Sequence, residues 1–327
     1  MPWSFNRAAA LLVIAALTAL VLFAPVPSGA HWAIVLGDSA HGPVSALIAA
    51  IVFQQLSLLS RRRRVPRWPV CRWPVWQWTL AIATTTILGI LIEFVQSLIG
   101  RDAEVMDVIT DLLGALVGAG LSVFLASDAP GGSRTLRRAG LASAMIAGAF
   151  IVAPVATMAA AYVARNTRFP VLMDGSAPLG ATFLTTFWAT ATQETLPPQA
   201  QPAFPGEKSL KVQIDGQRVW STALLEVRPD WRSWNTLVVE LFNPGDYDVY
   251  LRLRVFDRPD GLAVDKGFIT RQTLAPRSRT LWKIPLHEMA TAAGTQRLDL
   301  SHIHGLILFP AHDSRNSPLF LLNMRLE

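Results

Sequence analysis

A run of polar side chains lies where two long apolar segments meet, at positions where hydrocarbon-facing residues are expected. The run crosses from the end of one segment to the start of the next, and its members are Glu93, Gln96, Arg101, Asp107 and Asp111. Ionisable side chains inside a membrane span are costly, and they usually face a protein interior or water. The run therefore predicts a polar site within a membrane domain.

The spacing of these residues predicts how they are layered. A short turn at Arg101 makes the two segments antiparallel neighbours, so residues equally far from the turn lie at similar depths. At about 1.5 Å rise per residue, Gln96 lies level with Asp107, and Glu93 lies level with Asp111. Carboxylates at one depth repel each other unless protons, a basic side chain or a bound cation separate them. Such a site could move protons, bind a ligand or hold a cation. The alternative is that these groups only join helices and cap their ends.

Two neighbouring features extend this site. Asp38 and His41 are three residues apart, and we expect them to open the second apolar segment at the level of the acids. Gly114 and Gly118 form a small-xxx-small pattern, which allows another helix to approach closely. No spacing typical of metal ligands is present, so the sequence predicts neither a metal nor a cofactor.

Five apolar segments are close to the length of about 20 residues that spans a bilayer. They lie at 8–25, 42–59, 76–99, 103–126 and 139–164. Arginines concentrate before the first segment, between the second and third, and between the fourth and fifth, whereas the alternate loops contain only Arg101. The positive-inside rule places the arginine-rich loops and the N-terminus in the cytoplasm and the chain beyond residue 165 outside. Alternatively, residues 1–30 are a signal peptide cleaved after Ala30, which leaves this orientation unchanged.

Charge and cysteine content exclude several classes of protein. The formal net charge is +6, and 12 of the 29 basic residues but only 7 of the 23 acidic residues lie within 1–165. Membrane topology explains this basic half, so nucleic acid is not a predicted partner. Cys71 is the only cysteine, which excludes an intrachain disulfide framework and a multi-cysteine metal site.

The polar pattern resembles the signature of the VanZ-like family of integral membrane proteins. The residues that carry this resemblance are Glu93-x-x-Gln96, Arg101, Asp107, Gly114 with Gly118, and Asp38-x-x-His41. Ser39 stands where the family usually has lysine, and Asp111 stands where asparagine is common. The resemblance covers about residues 10–126. It implies a role in the cell envelope, in a family linked to antibiotic resistance, without implying a reaction.

Residues 166–327 have the pattern of a folded domain rich in β-structure. We expect a linker and first-strand region at 166–205 and a β-sandwich at 206–327, with a start near 180 as an alternative. Alternating apolar and charged residues at 250–256 predict a strand with one buried face, and Asn243-Pro244-Gly245-Asp246 predicts a turn before it. Further strands are expected at 180–196, 237–242, 267–274, 278–284, 304–309 and 318–326. The predicted fold is thus multi-domain: a helical transmembrane bundle at 1–165 followed by an extracytoplasmic β-sandwich.

This half resembles the galactose-binding-like sandwiches found in carbohydrate-binding modules. The resemblance rests on Trp234-Asn235-Thr236-Leu237, the Asn243-Pro244 turn, 274–286, 298–309 and the closing 321–326. It implies that the sandwich is a jelly roll. It also implies a glycan site with an aromatic platform, for which the candidates are Trp220, Trp231, Trp234 and Trp282. The alternative for each tryptophan is packing in the core.

No phosphate-binding loop, nucleophile elbow or zinc helix stands out in the sequence. We therefore expect a non-enzymatic protein of the bacterial cytoplasmic membrane that displays its sandwich outward. Its expected partners are membrane lipid and a cell-wall glycan, a lipid-linked envelope component or a partner protein. The alternative is a membrane-embedded enzyme or small-molecule carrier that uses the Glu, Asp, His and Arg cluster at the outer leaflet.

Overall fold

The computed structural model describes residues 7–23, 30–62, 73–100, 104–126, 134–214, 221–259, 266–311 and 318–327. Their contacts divide the chain into two compact units, Met1–Met158 and Ala159–Glu327. The first unit is helical and the second consists mainly of β-strands. The segment at 166–205, expected to be a linker and first-strand region, contains three strands of the second unit.

Long apolar helices form the first unit. They are α1 (Arg7–Phe23), α2 (His31–Arg62), α3 (Trp73–Leu98), α4 (Val105–Ala126) and α5 (Arg134–Arg168), of which the residues from Ala159 onward fall in the second unit. By length and composition, four stretches could cross a membrane: His31–Ser60, Val75–Leu98, Val105–Ala126 and Arg134–Arg168. Helix α1 is apolar but has only 17 residues, which is at the lower limit for a span.

Helix α2 begins earlier than the sequence predicted. Its first residue is His31, and Pro43 therefore lies inside the helix rather than at its start. Asp38 and His41 consequently lie in its second and third turns and do not open it. The residues from Trp32 to Leu36 are apolar and continue the helical segment toward the N-terminus. Pro43 leaves one backbone carbonyl without its hydrogen bond, but neighbouring helices can compensate for this in a packed helix.

Close approach of backbones holds α2 and α4 together. A Cβ added to Gly114 would collide with the carbonyl oxygen of Gly42, and one added to Gly118 would collide with that of Ala46. The two glycines are four residues apart and thus lie on one face of α4. The small-residue pattern therefore sits where these two helices cross, beside a core of Ala49, Ala115 and Ala119, all fully buried.

The second unit is an antiparallel sandwich of two sheets. Its strands are β1 (Val171–Asp174), β2 (Leu184–Phe187), β3 (Ala189–Thr195), β4 (Lys208–Ile214), β5 (Ser221–Leu225), β6 (Thr236–Asn243), β7 (Val249–Phe256), β8 (Phe268–Leu274), β9 (Ser278–Pro285), β10 (Gly305–Pro310) and β11 (Leu319–Leu326). The six-stranded sheet has the order β3-β4-β11-β6-β9 with β1 also on β11, and the five-stranded sheet has the order β2-β5-β10-β7-β8. From β4 onward, the chain places strands in the two sheets in the order of a jelly roll.

Alternation along the strands builds the core between the sheets. In β7, Leu251, Leu253 and Val255 are fully buried, and they meet Leu306 and Leu308 of β10 on the same face. The turn between β6 and β7 is fixed by Asn243, whose side-chain amide donates to the carbonyl of Tyr247 at 2.8 Å and accepts from the Gly245 amide at 2.9 Å. The predicted turn is therefore confirmed.

Candidate functional site

In the helical unit, the acidic residues converge on one imidazole. The Nε2 atom of His41 on α2 lies 3.7 Å from Oδ2 of Asp107, and its Nδ1 atom lies 3.7 Å from Oδ1 of Asp111. One ligand atom each from His41, Glu93 and Asp107 lies within 4.8 Å of the others. The structure therefore brings three helices, α2, α3 and α4, to a single polar cluster, which we define as His41, Glu93, Asp107 and Asp111.

Hydrogen bonds position the two most buried carboxylates of this cluster. Ser45 donates its hydroxyl to Oδ1 of Asp111 at 2.6 Å, and Ser45 lies one helical turn after His41 on α2. Glu93 accepts the backbone N–H of Glu104 through Oε2 at 2.9 Å, just before α4 begins. A carboxylate at that position satisfies an otherwise free donor and favours the positive end of the helix dipole.

The other predicted members of the membrane site lie at the edge of the cluster, apart from it or outside the described residues. Asp38 is exposed on α2 and interacts electrostatically with His41 and Asp107. Gln96 is buried, but its amide donates to the carbonyl of Val21 on α1 at 3.3 Å. Arg101 lies outside the residues that the structure describes. The distance of Gln96 from the turn predicted its depth, but its hydrogen-bond partner depends on where α1 packs.

Of the tryptophans considered for a glycan platform, Trp231 is fully buried and its Nε1 donates to the carbonyl of Arg228 at 2.7 Å. Trp282 is 5% exposed and also belongs to the core. Trp234 is half-buried, with its ring 5.8 Å from that of Phe169 in an edge-to-face arrangement. Trp220 lies outside the described residues. Trp231 and Trp282 therefore follow the packing alternative, because neither presents a ring face to a ligand.

A different surface carries aromatic and basic side chains together. Phe309 of β10 pairs with Arg252 of β7, and Arg252 pairs with Arg271 of β8. Directly paired residues of antiparallel strands point to the same side, so these three form one row across the outer face of the five-stranded sheet. Tyr250 extends the surface on β7 with 43% of its side chain exposed. We call this surface, consisting of Tyr250, Arg252, Arg271 and Phe309, the arginine face.

Charge on the arginine face is unbalanced among the described residues. No outward-facing residue of the five strands is acidic. Arg252 and Arg271 form no ion pair with a described acid, and Nε of Arg252 is buried without a hydrogen-bond partner within the described chain. Like charges directly opposite each other on a sheet are destabilising. The alternation at 250–256 predicted an outward Arg252, but only the strand register reveals that it faces Arg271.

The outer face of the six-stranded sheet has the opposite character. Arg279 on β9 lies 2.7 Å from Oε1 of Glu240, and Arg325 on β11 lies 2.6 Å from Oε1 of Glu327. Part of the same face is covered by a cluster of buried apolar residues, in which Leu196 and Ala200 pack against Phe242, Phe320 and Leu322. Charges on this face are therefore paired, and much of its apolar surface is covered.

A further polar region lies in the loop before β10, and its charges are balanced locally. Asp299 accepts the Ser301 hydroxyl at 2.6 Å and the Ser301 amide at 2.9 Å, and these bonds lower the pKa of Asp299 to about 2. Hydrogen bonds from the Arg232 side chain and backbone likewise lower the pKa of Asp230 to about 2. Both carboxylates are fully exposed and need no external partner.

Comparison with known proteins finds similar solved structures for part of the chain. No family model matches the chain, and no curated protein matches it either. A family 11 carbohydrate-binding module from Clostridium thermocellum, in complex with a β-1,3-1,4-mixed-linked tetrasaccharide, shares 16% identity, with 44% of this chain and 88% of that chain covered and a TM-score of 0.33. A family 29 carbohydrate-binding module from Piromyces equi shares 11% identity, with 48% and 87% covered and a TM-score of 0.28. An exo-β-agarase shares 17% identity, with 48% and 24% covered and a TM-score of 0.36.

Proposed function

We propose that this chain is an integral membrane protein of the bacterial cell envelope whose sandwich binds an acidic envelope glycan on the arginine face. The observation that carries the proposal is the row of Phe309, Arg252 and Arg271 across three neighbouring strands. Guanidinium groups bind carboxylate and phosphate in a planar, two-pronged geometry. The exposed ring of Tyr250 offers an apolar surface on which a sugar ring can pack. The half-buried ring of Phe309 packs against Ala223, Phe256 and Ile307 and so borders this surface.

The charge pattern favours an anionic glycan over a neutral one. Two guanidinium groups side by side repel each other, and an anion placed between them relieves that repulsion. A neutral sugar would leave both charges without a counter-ion. The ligand class that best complements the arginine face is therefore a polysaccharide with carboxylate or phosphate groups.

Binding of defined polysaccharides tests this function. The full chain in mild detergent is run through gels that contain a polyuronate or a neutral mixed-linkage β-glucan, and its retardation is measured. We expect retardation by the polyuronate and a loss of affinity of about tenfold in Arg252→Ala or Arg271→Ala, since a hydrogen bond to a charged group contributes about 1.5–3 kcal/mol. Arg279→Ala is the matched control, because it removes an arginine from the other sheet. Equal loss in all three variants, or retardation by neither polymer, would contradict the proposal.

The proposed location rests on the apolar helices and the distribution of arginine. Arginines lie in the sequence at the start of α1, from the end of α2 to the start of α3, and at the start of α5. They are Arg7, those at 61–72 and those at 134–138. The positive-inside rule then places these arginines in the cytoplasm and the sandwich outside the cytoplasmic membrane. Reporter fusions after residue 327 test this orientation: an exported phosphatase is expected to be active there and a cytoplasmic reporter inactive. The reverse pattern would place the sandwich in the cytoplasm and remove the envelope glycan as its ligand.

A second candidate function uses the helical unit. The convergence of His41, Glu93 and Asp107 favours a membrane-embedded enzyme or small-molecule carrier, as the VanZ-like resemblance of residues 10–126 allows. A cellular phenotype that is lost in Glu93→Gln and Asp107→Asn, but kept when the sandwich is deleted, would support this function. Loss only on deletion of the sandwich would support glycan binding instead.

A further inference from the structure

The polar cluster of the helical unit contains more negative charge than its described residues can balance. Glu93, Asp107 and Asp111 supply three carboxylates, and His41 is the only basic side chain among the described residues that lies within ion-pair distance of them. Glu93 is 5% exposed and Asp111 is 3% exposed. Burial of uncompensated carboxylates is costly, so the arrangement calls for a cation or for protons on the carboxyl groups.

Several atoms of the cluster are buried and have no hydrogen-bond partner within the described chain. They are Oε1 of Glu93, Oδ2 of Asp111 and Nδ1 of His41. The other oxygen of Glu93 is occupied by the Glu104 amide, and the other oxygen of Asp111 by the Ser45 hydroxyl. Glu93 thus has one fixed oxygen and one oxygen available for a ligand, whereas Oδ2 of Asp111 lies against Gly89.

From these observations we infer that His41, Glu93 and Asp107 form a divalent-metal site between α2, α3 and α4. Each residue places one donor atom within 4.8 Å of the other two. Donor atoms on one ion with bonds of about 2.0–2.2 Å lie about 3–4 Å apart, so the three side chains must move together by about 1 Å to bind it. One imidazole and two carboxylates are ligands that suit Mn²⁺, Fe²⁺ or Zn²⁺ better than an all-oxygen site for Ca²⁺. Three protein ligands leave positions open for water or a further ligand.

Asp111 is a positioning residue for this site. His41 directs Nε2 toward Asp107 and Nδ1 toward Asp111, at 3.7 Å in each case. At 3.7 Å, Nδ1 and Asp111 are not yet hydrogen-bonded. If metal binding at Nε2 shortens this distance, Asp111 would accept from Nδ1, which orients a metal-bound ring and raises its basicity. Ser45 fixes Asp111 in turn through the 2.6 Å hydrogen bond. Gly89 is part of the same arrangement, because a Cβ at that position would collide with Oδ2 of Asp111.

The spacing along the chain grouped these residues but could not predict which of them act as ligands. The three ligands belong to three helices and are separated by 52 and 14 positions in the sequence. The glycines of α4 bring the backbones of α2 and α4 close enough for His41 to approach Asp107 and Asp111. The inference therefore depends on the packing of the helices and is independent of glycan binding by the sandwich.

Metal titration of the full chain in detergent tests the inference. The protein is stripped with a chelator and titrated with Mn²⁺, Zn²⁺, Mg²⁺ and Ca²⁺, with calorimetry for affinity and the Mn²⁺ electron paramagnetic resonance signal for coordination. We expect one Mn²⁺ or Zn²⁺ per chain, at least 100-fold weaker binding in Glu93→Gln and Asp107→Asn, and a loss of about 10–100-fold in Asp111→Asn. Asp246→Asn, which neutralises an exposed carboxylate of the sandwich, is the carboxylate control and should bind as the wild type does. The gel-filtration profile shows whether each variant is folded.

Three outcomes would overturn the inference. The wild type could bind no divalent ion at one-to-one stoichiometry, or Glu93→Gln and Asp107→Asn could bind as tightly as the wild type while folded. Thirdly, the wild type could bind no metal while Arg101→Gln lowers its thermal stability, which would identify Arg101 as the counter-ion of the acids. If Glu93→Gln does not fold, His41→Gln replaces it, because that change leaves the helix cap at Glu104 in place.

Discussion

The polar cluster of the helical unit and the arginine face of the sandwich each contain unbalanced charge, with opposite signs. In the helical unit, the carboxylates are buried and fixed by Ser45 and by the Glu104 amide. In the sandwich, Arg271 is exposed and Arg252 half-buried on the outer face of a sheet, beside the buried cluster of Ala223, Phe256 and Ile307. The difference teaches what kind of partner each region needs. Buried charge needs a counter-ion that is held within the fold, whereas exposed charge can be balanced by a ligand that binds reversibly.

The largest expected effect concerns the close helix crossing that holds the buried cluster together. In Gly118→Ala, the new Cβ would collide with the Ala46 carbonyl, so α2 and α4 must separate at a cost of about 1–3 kcal/mol. In the control Gly148→Ala, the nearest atom to the new Cβ is 3.9 Å away, and the change should be neutral or stabilising by up to about 1 kcal/mol. Thermal unfolding in detergent measures both. Equal melting temperatures would contradict the close crossing.

Removal of a partner from the buried region should cost stability, whereas removal of an arginine from the exposed region should not. Ser45→Ala leaves Oδ1 of Asp111 without its donor, which we expect to destabilise the helical unit by about 1–3 kcal/mol. Arg252→Ala removes a like-charge neighbour of Arg271, and its effect on unfolding should stay within about 0.5 kcal/mol. The melting temperature of each variant provides the measurement. A larger loss in Arg252→Ala than in Ser45→Ala would reverse the comparison.

Salt should separate the two regions further. Exposed charges are screened beyond about 10 Å at 0.1 M salt and beyond about 3 Å at 1 M, whereas buried pairs are screened much less. We therefore expect polyuronate binding by the arginine face to weaken several-fold between 0.05 M and 0.5 M NaCl, while Mn²⁺ binding by the cluster changes by less than about twofold. Parallel titrations at the two salt concentrations provide the test. Equal salt dependence would show that the two regions are similarly exposed.

The smallest effect is expected where charge is balanced locally, at Asp299. Its pKa is lowered to about 2 by the hydrogen bonds from Ser301, below the ordinary value of about 3.9. A lowered pKa in the fold means that this stabilisation is complete above about pH 4 and is lost as the pH falls toward 2. The carboxyl carbon resonance of Asp299 should therefore titrate with a midpoint near pH 2. A midpoint near pH 4 would contradict the hydrogen bonds.

Periodic elements could be predicted from the sequence, whereas elements defined by their partners could not. The alternation in β7 and the turn at Asn243 were sufficient to predict the central hairpin, and the strands at 267–274, 278–284, 304–309 and 318–326 agree with β8 to β11. Strands β1, β4 and β5 were missed. Strand β1 has only four residues and is held by pairing with β11, and the expected linker and loop regions concealed the other two.

The candidate sites show the same limit. Chain spacing was sufficient to group Glu93, Asp107 and Asp111 with His41, because two of the helices leave one short turn. It could not predict that Gln96 would face α1, since that depends on where α1 packs. Nor could it predict that Trp231 is buried, because a tryptophan in the core and a tryptophan in an exposed binding platform look alike in the sequence. The arginine face required the register of three strands, which no local pattern specifies.

Arginine-directed labelling tests most directly whether the arginine face is the ligand-binding surface. The full chain in detergent is treated with phenylglyoxal with and without a polyuronate, and modification of each arginine is measured by mass spectrometry. We predict that the polyuronate protects Arg252 and Arg271 and leaves unchanged the modification of Arg279 and Arg325, whose side chains are 28% and 29% exposed on the other sheet. Protection of Arg279 and Arg325 instead, or of none of the four while the polyuronate is bound, would contradict this account.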